Sequence, residues 1–549
     1  MQEQSGNAYQ CIRSALKAGA AVGMLALGSG AWAANDLDIA QRGTRSGIDA
    51  KNMELVGWND VQGRVIYQTS IHNQNTVYGK RVIAYAGHFN ATMLNPMTGQ
   101  MEKNGTSIVD VTDPANPVYL KHLPASNGGG RMNRLCDGDV LPKGLKGHVY
   151  LLRENGALAH EVWDVTNPES PAFVTTVIGG QTTTHKNYWD CYTGIAYLVA
   201  GASATSAAPD GWKVNQHTKV YDLSNPAAPI HIMDHGLPGQ NPVTSVPVPP
   251  AQLHGAIVVS DLNGDPKKRK NRYYGAYGTE SNGVLQVVDL VKMLPPPYGT
   301  GKYVDPFKPT DAELLQSQIG RLTAPGVVGG HTSWPIYGVE VAQNRNFTEY
   351  TELDILAFTS EETSNRCTSA VHNMTLIDIT AEAIGTSSAE QHPWPISTVT
   401  VNDYSGRPNF CSRGTRFGVH STHESFTNDM YGKLVTSAWF NAGIRVTDIR
   451  DPYNPREVAY LVYPINANTQ PSVSVINGIT YSQLDVSCDN TEVDDDSFVY
   501  CGDRVGGGLY ITRLTGTAAA IIGQSGAAHS HVGTSGLSVR EQSRIRSAQ

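Results

Sequence analysis

The chain has 549 residues, enough for a large core or for several ordinary domains. Charged residues make up only 16% of it, while Gly (55), Pro (30) and Tyr (25) are plentiful, the balance of a turn-rich β protein rather than a helical one. The formal net charge is -8 and the one basic cluster, Lys267 to Lys270, is short, which argues against nucleic acid as a partner, since phosphate binding needs a concentrated basic face.

The N-terminus has the layout of an export signal. Arg13 and Lys17 precede an apolar stretch from Ala18 to Leu27, and Ala31-Trp32-Ala33 supplies a small-residue cleavage site. Residues 1–33 are therefore expected to be removed after Ala33, leaving a periplasmic or extracellular chain. A short anchor helix is the competing reading, but the run is broken by Gly and shorter than the roughly 20 residues a span needs. No other segment of the mature chain has the length or hydropathy to cross a membrane. Residues 34–50 form a polar lead-in.

From there one pattern recurs: an alternating β-run ending in Asp, often followed by a turn with two prolines. It reads Ser107-Ile108-Val109-Asp110, Glu161-Val162-Trp163-Asp164, Lys219-Val220-Tyr221-Asp222, Gln286-Val287-Val288-Asp289, Thr375-Leu376-Ile377-Asp378 and Arg445-Val446-Thr447-Asp448. A seventh copy, Gly508-Leu509-Tyr510-Ile511-Thr512, has Thr where Asp stood. Successive copies lie 54 to 89 residues apart, room for the four strands of a propeller blade, which needs about 40 to 50, plus loop insertions. The prolines from Pro296 to Pro309 mark one insertion, and a loop or hairpin is expected around Ile71 to Gly79. In each turn the Asp can accept backbone hydrogen bonds while Pro fixes φ, so these aspartates read as structural. The expected fold is all-β: a seven-bladed β-propeller over residues 51–524, its first blade running from about Met53 to Leu123. A Ser/Gly/Arg-rich tail, 525–549, follows.

The fullest copy runs from Leu434-Val435-Thr436-Ser437-Ala438-Trp439-Phe440 through Asp448 and Pro455 to Val458. This run resembles the LVIVD-repeat proteins, which are β-propellers, and is more distantly similar to the selenium-binding protein and methanethiol oxidase group. The resemblance implies the fold and says little about activity. Methanethiol oxidases, and the carotenoid-cleaving oxygenases with their four-His iron, hold metals on propellers. That likeness is architectural, and no ligand is carried over from it.

The innermost strand of each blade lines the channel and should precede the Asp strand by roughly 25 to 50 residues. Four consecutive repeats place a histidine there: His185, His254, His331 and His420, with His423 and Glu424 close behind the last. Imidazoles from neighbouring blades would converge on the axis, a donor set suited to Cu, Fe or Zn. They would equally serve as polar lining of a wet channel. On the first reading His185, His254, His331, His420 and His423 are the metal residues and Glu424 moves protons as the catalytic acid. Arg134, Asp137, Asp139, Asp485, Glu361 and Glu362 are further channel candidates. The acidic loops Asp261 to Asp265 and Asp489 to Asp496 are incomplete matches to a Ca²⁺ loop.

Six cysteines remain after the signal. Cys136 with Cys191, Cys367 with Cys411, and Cys488 with Cys501 are the expected pairs, among 15 connectivities. No nucleophile elbow, zincin helix or phosphate-binding loop is present. The leading function is a metal-dependent oxidoreductase acting on a small organic or sulfur substrate. A binding scaffold that captures an envelope protein, and a metal-assisted hydrolase or lactonase, are the alternatives.

Overall fold

Each of the six Asp-ended runs is the third strand of a four-stranded antiparallel sheet or its equivalent, and seven such sheets stand in a ring. The structure is a computed structural model describing residues 47–260, 271–341, 352–367, 372–381, 383–384, 387–401, 410–413 and 415–524. The expected export signal, the tail 525–549 and the Asp261 to Asp265 loop lie outside the described residues.

Blade 1 comprises Ile66–Thr76, Gly79–His88, Gly105–Asp110 and Val118–Pro124. Blade 2 is Asn133–Asp137, Val149–Asn155, Ala159–Asp164 and Ala172–Ile178. Blade 3 is Thr183–Trp189, Ile195–Gly201, His217–Asp222 and Ile230–His235. Blade 4 is Leu253–Val259, Arg272–Tyr277, Val284–Asp289 and Gln318–Thr323. Blade 5 is Thr332–Glu340, Glu352–Thr359, Met374–Asp378 and Trp394–Val399. In blade 6 the stretch 420–423 is the innermost rung, bridging Thr422 to Ser437 of Leu434–Ala438. Ile444–Asp448 and Arg456–Val462 follow, and the short Asp49–Lys51 adds an outer edge. Blade 7 is Cys488–Val493, Val499–Asp503 and Leu509–Leu514, and its outermost strand is Met53–Asn59 from the other end of the chain.

That closure moves two expected boundaries. Met53 opens the outer strand of the last blade, and blade 1 starts at Ile66. Residues 71–76 continue the inner strand of blade 1, while the inserted hairpin is Thr92–Asn95 with Gln100–Lys103.

The repeat's chemistry is visible at every turn after a third strand. The Oδ1 of Asp110, Asp164, Asp222, Asp289, Asp378 and Asp448 each accepts the backbone N–H two residues on, at 2.8 to 3.1 Å. In four repeats a second Asp or Asn does the same just afterwards: Asp113, Asn167, Asn225 and Asp451. Paired side-chain turns of this kind satisfy backbone donors where the ladder ends. Thr512 has no such turn to close, because the fourth strand of its blade arrives from the N-terminus; its hydroxyl bonds Val499 O instead, at 2.9 Å.

The three expected disulfides are present. Cys136–Cys191 joins blades 2 and 3, Cys367–Cys411 ties the loop after the second strand of blade 5 to the approach to blade 6, and Cys488–Cys501 links two strands of blade 7. Such bonds persist in oxidising compartments. No helix among the described residues is long and apolar enough to cross a membrane.

Side chains packed between blades include buried imidazoles. His160, on the third strand of blade 2, reaches Val199 O of blade 3 at 3.2 Å. Burial lowers its pKa from 6.5 to about 4, against a smaller opposing effect of that hydrogen bond. The unfolded chain therefore takes up a proton that the folded chain refuses between pH 6.5 and 4. This contribution to stability is whole above pH 6.5 and declines as the pH falls through that window; at pH 5 the loss is about 2 kcal/mol. His160→Gln, which keeps an N–H donor but does not titrate, should lose less stability than the parent between pH 7 and pH 5, by about that amount. Urea unfolding of both proteins at the two pH values measures the difference; parallel losses would refute it.

Candidate metal centre at the channel mouth

Strand direction decides which end of the channel carries chemistry. First strands start, and third strands start, on the same face of an antiparallel blade. The four histidines stand at the beginning of inner strands, whereas the Asp turns close the far ends of third strands. The aspartates of the repeat therefore lie on the opposite face, in keeping with their structural role.

Four imidazoles meet at the axis. The Nε2 atoms of His185 and His254 are 2.8 Å apart. Ring centroids of His254 and His331 are 3.9 Å apart, and those of His331 and His420 are 4.1 Å apart. Tyr67, from the inner strand of blade 1, completes the circle with its hydroxyl 3.4 Å from His185 Nε2 and its ring 5.6 Å from that of His420. A local device aims these side chains inward. Register breaks in the inner strands fall at Ile66/Thr69, Thr184/Asn187, Leu253/Gly255 and Cys488/Asn490, and so enclose Tyr67, His185, His254 and Asp489. A bulge turns an extra side chain out of the pleat, here toward the axis.

The outward nitrogens are tied down. His254 Nδ1 donates to His331 O at 3.1 Å, His331 Nδ1 pairs with Thr332 Oγ1 at 2.9 Å, and His420 Nδ1 donates to Asp489 O. A ring that donates through Nδ1 to a carbonyl keeps its Nε2 lone pair for something else. In His331 and His420 that Nε2 is buried and has no hydrogen-bond partner. Burial, reinforced by neighbouring positive charge, holds all four imidazoles well below their ordinary pKa and hence neutral.

Glu361, from the loop after the second strand of blade 5, faces this cluster. Its carboxylate oxygens are 3.7 Å from His420 Nε2, 3.8 Å from His331 Nε2 and 4.0 Å from His254 Nε2. Arg416 Nη1 donates to Glu361 Oε1 at 2.7 Å and fixes it in place. Among the described residues, His254, His331 and Glu361 form the group of three close-set metal-ligating side chains.

The other expected site residues go elsewhere. His423 is three residues beyond His420, an odd step along an extended chain, so it faces the opposite way. Its Nδ1 accepts from Thr436 N at 3.2 Å and its ring lies 5.8 Å from Trp334, inside the blade packing. Glu424, an even step away, does enter the channel, but one layer further in. There it pairs with Arg134 of blade 2 and, at 3.6 Å, with Lys186 of blade 3. Gly255 makes room for this: a Cβ there would lie 2.5 Å from Lys186 Cδ. Burial alone would raise the Glu424 carboxyl, but the charges of Arg134 and Lys186 outweigh it and hold the pKa below the usual range. Glu424 is therefore an ionised partner in a plug beneath the histidines, a poor proton donor.

Asp137 pairs with His72, Asp139 accepts from Gly147 N, Asp485 pairs with Arg413, and Glu362 accepts from Ser364. The acidic run Asp489 to Asp496, an incomplete match to a Ca²⁺ loop, does not gather its carboxylates. Asp489 goes to Arg504, Glu492 and Asp494 are buried in the blade, and Asp495 bonds Asn73 and Thr427. The residues that sequence reasoning passed over are Tyr67, Arg131, Arg416 and Arg504, and Asp489 was noticed only as part of an acidic run.

No family model and no curated protein matches the chain. What the structure shows is the seven-bladed propeller; the resemblance to LVIVD-repeat proteins has no support from these comparisons.

Proposed function

We propose that the chain is an exported metal-binding propeller, and that a transition-metal ion held by His185, His254, His331 and His420, with Glu361 completing the set, serves a metal-dependent oxidoreductase. The observation that carries this reading is the convergence of four neutral, buried imidazoles on Glu361 and one another, three of which (His254, His331 and His420) have their Nδ1 engaged by protein groups. Left without an ion, the buried Nε2 atoms of His331 and His420 stay unsatisfied, a cost of about 1 to 3 kcal/mol each. His185 Nε2 and His254 Nε2 share a 2.8 Å hydrogen bond, and an ion held there would take the place of its proton.

Bound there, Cu or Fe would supply one-electron chemistry, and any of Cu, Fe or Zn would act as a Lewis acid. The protein's own part is to keep the imidazoles oriented, to hold Glu361 with Arg416, and to close the channel below with the Glu424–Arg134–Lys186 layer. Substrate then reaches the ion from one face.

Elemental analysis of untagged protein, followed by reduction and reoxidation under air, tests the reading. About one Cu or Fe per chain that cycles between oxidation states is the expected result. Zinc alone would move the reading to a metal-assisted hydrolase. No stoichiometric metal even after reconstitution would leave a binding scaffold.

A further inference from the structure

Three arginines ring the opening above the histidines, each from a different part of the rim. Arg131 precedes the inner strand of blade 2, Arg416 precedes the innermost rung of blade 6, and Arg504 lies between the second and third strands of blade 7. Their side chains are 28%, 19% and 20% exposed, so they border solvent without projecting into it. They are close enough for their charges to act on one another: Arg504 on Arg131, Arg504 on Arg416, and both Arg131 and Arg504 on Tyr67.

Aromatic rings hold two of these guanidinium groups. Arg504 lies over Phe89 at 4.4 Å and Arg416 over Phe440 at 5.5 Å. Phe89 in turn packs edge-on against Tyr67, centroids 5.2 Å apart. Stacking on a ring fixes the plane of the guanidinium fork before any ligand arrives.

Each arginine already faces a carboxylate: Glu154 for Arg131, Glu361 for Arg416, and Asp489 for Arg504, whose Nη1 also stands 3.9 Å from Glu361 Oε1. The arginines and carboxylates of the rim are thus interleaved. The pairs also leave donors over. Arg416 and Arg504 each commit Nη1 to protein oxygens, and among the described residues no hydrogen bond engages their Nε or Nη2. A planar, preset fork with unused N–H groups matches a carboxylate, which can accept two parallel bonds.

From this geometry we infer that the channel mouth binds small organic acids, the carboxylate received by Arg504 and Arg416 and the apolar body laid against Phe89 over the four-histidine cluster. This names the substrate class for the proposed oxidoreductase and rests on that reading for its chemistry. The arginine contacts themselves do not require the metal. Ion pairs at the rim also hold the fold, so the test separates recognition from stability.

Benzoate and its uncharged analogue benzamide are titrated calorimetrically into the full mature chain, once as purified and once after metal removal by chelation. Benzoate should bind in both states, more tightly with metal present, and at least about 10-fold more tightly than benzamide. Arg504→Gln and Arg416→Gln should each weaken benzoate about 10-fold while leaving benzamide unchanged. Thermal melts identify a variant that has lost its fold; the other then carries the test, and if both unfold, the suppression of benzoate binding by 0.5 M salt in the parent protein stands in. Equal binding of benzoate and benzamide, no binding of either, or indifference to the folded arginine variants would overturn the proposal. Benzoate binding that persists in a protein with no metal site would sustain this inference and defeat only the metal reading.

Discussion

The double variant His254→Ala/His331→Ala should remain folded and lose its metal. The two rings stand at the starts of consecutive inner strands, their Nε2 atoms face Glu361, and with it they form the close-set ligating group found among the described residues. Even partners that merely orient a ligand are worth about 10- to 100-fold in metal affinity, so removing two ligands should cost at least about 100-fold. Folding should survive because the deletions fall at the channel mouth, away from the apolar contacts between blades, and because they remove a buried nitrogen that lacks a partner. The control is His423→Ala. Its ring packs near Trp334 within the blade layer, so this variant should melt earlier and keep its metal. Elemental analysis and thermal melts of the three proteins decide the matter. Retained metal in the folded double variant, or metal lost equally in His423→Ala, would show that the ion sits elsewhere.

Why His423 and His420 part company explains how much of the site was legible. Recurrence at one position in four blades becomes convergence in space, because the ring carries equivalent positions to a common axis. His185, His254, His331 and His420 could be read that way. His423 was added on proximity in sequence, and strand alternation sends it to the other side. Tyr67 and Asp489 occupy the same bulged position in blades 1 and 7, but a tyrosine or an aspartate in a β-rich chain carries no mark of its own. Arg131, Arg416 and Arg504 come from rim loops of unequal length, where no spacing rule applies. Glu361 stood among the candidates, yet nothing in the sequence tied it to the imidazoles, since its loop folds over the axis only once the blades are assembled. The fold was easier. Each repeat Asp answers a local need, a backbone donor at a turn, and local needs are written locally. The closure of the ring was not, because Met53–Asn59 alternates like any other strand and its partner lies some 450 residues away. The Thr at 512 was the one sign that the last blade ends differently.

That closure sets up a sharp contrast between two truncations. A chain starting at Met53 loses the short outer edge Asp49–Lys51, the partly buried Ile48 beside it, and Asn52, which bonds Val458 O and Thr517 Oγ1. It should lose no more than about 3 kcal/mol, the upper part of the usual range for a local change. A chain starting at Asp60 also loses Met53–Asn59, and with it the whole register from Met53↔Leu514 to Asn59↔Leu509. The lost strand does three things at once. Met53 is buried against the blade 6 and 7 core, where Leu514 and Tyr510 also pack. Trp58 Nε1 donates to Gly507 O at 2.7 Å. Asn59 Nδ2 reaches Pro117 O, in the first repeat's turn, at 3.3 Å, so the strand also fastens blade 7 to blade 1. It fits there because residue 57 is Gly: a Cβ would sit 1.8 Å from Pro114 O. Without it, Leu509–Leu514 becomes an open edge beside uncovered apolar surface, the arrangement that invites aggregation. The Asp60 start should therefore melt lower by on the order of 10 °C or more and scatter light on heating, whereas the Met53 start should not. A peptide spanning residues 49–59, added in excess, should raise the melting temperature of the shorter chain and leave that of the longer one unchanged. Equal melting of the two truncations would mean that the ring holds without its terminal strand, through contacts between blades alone.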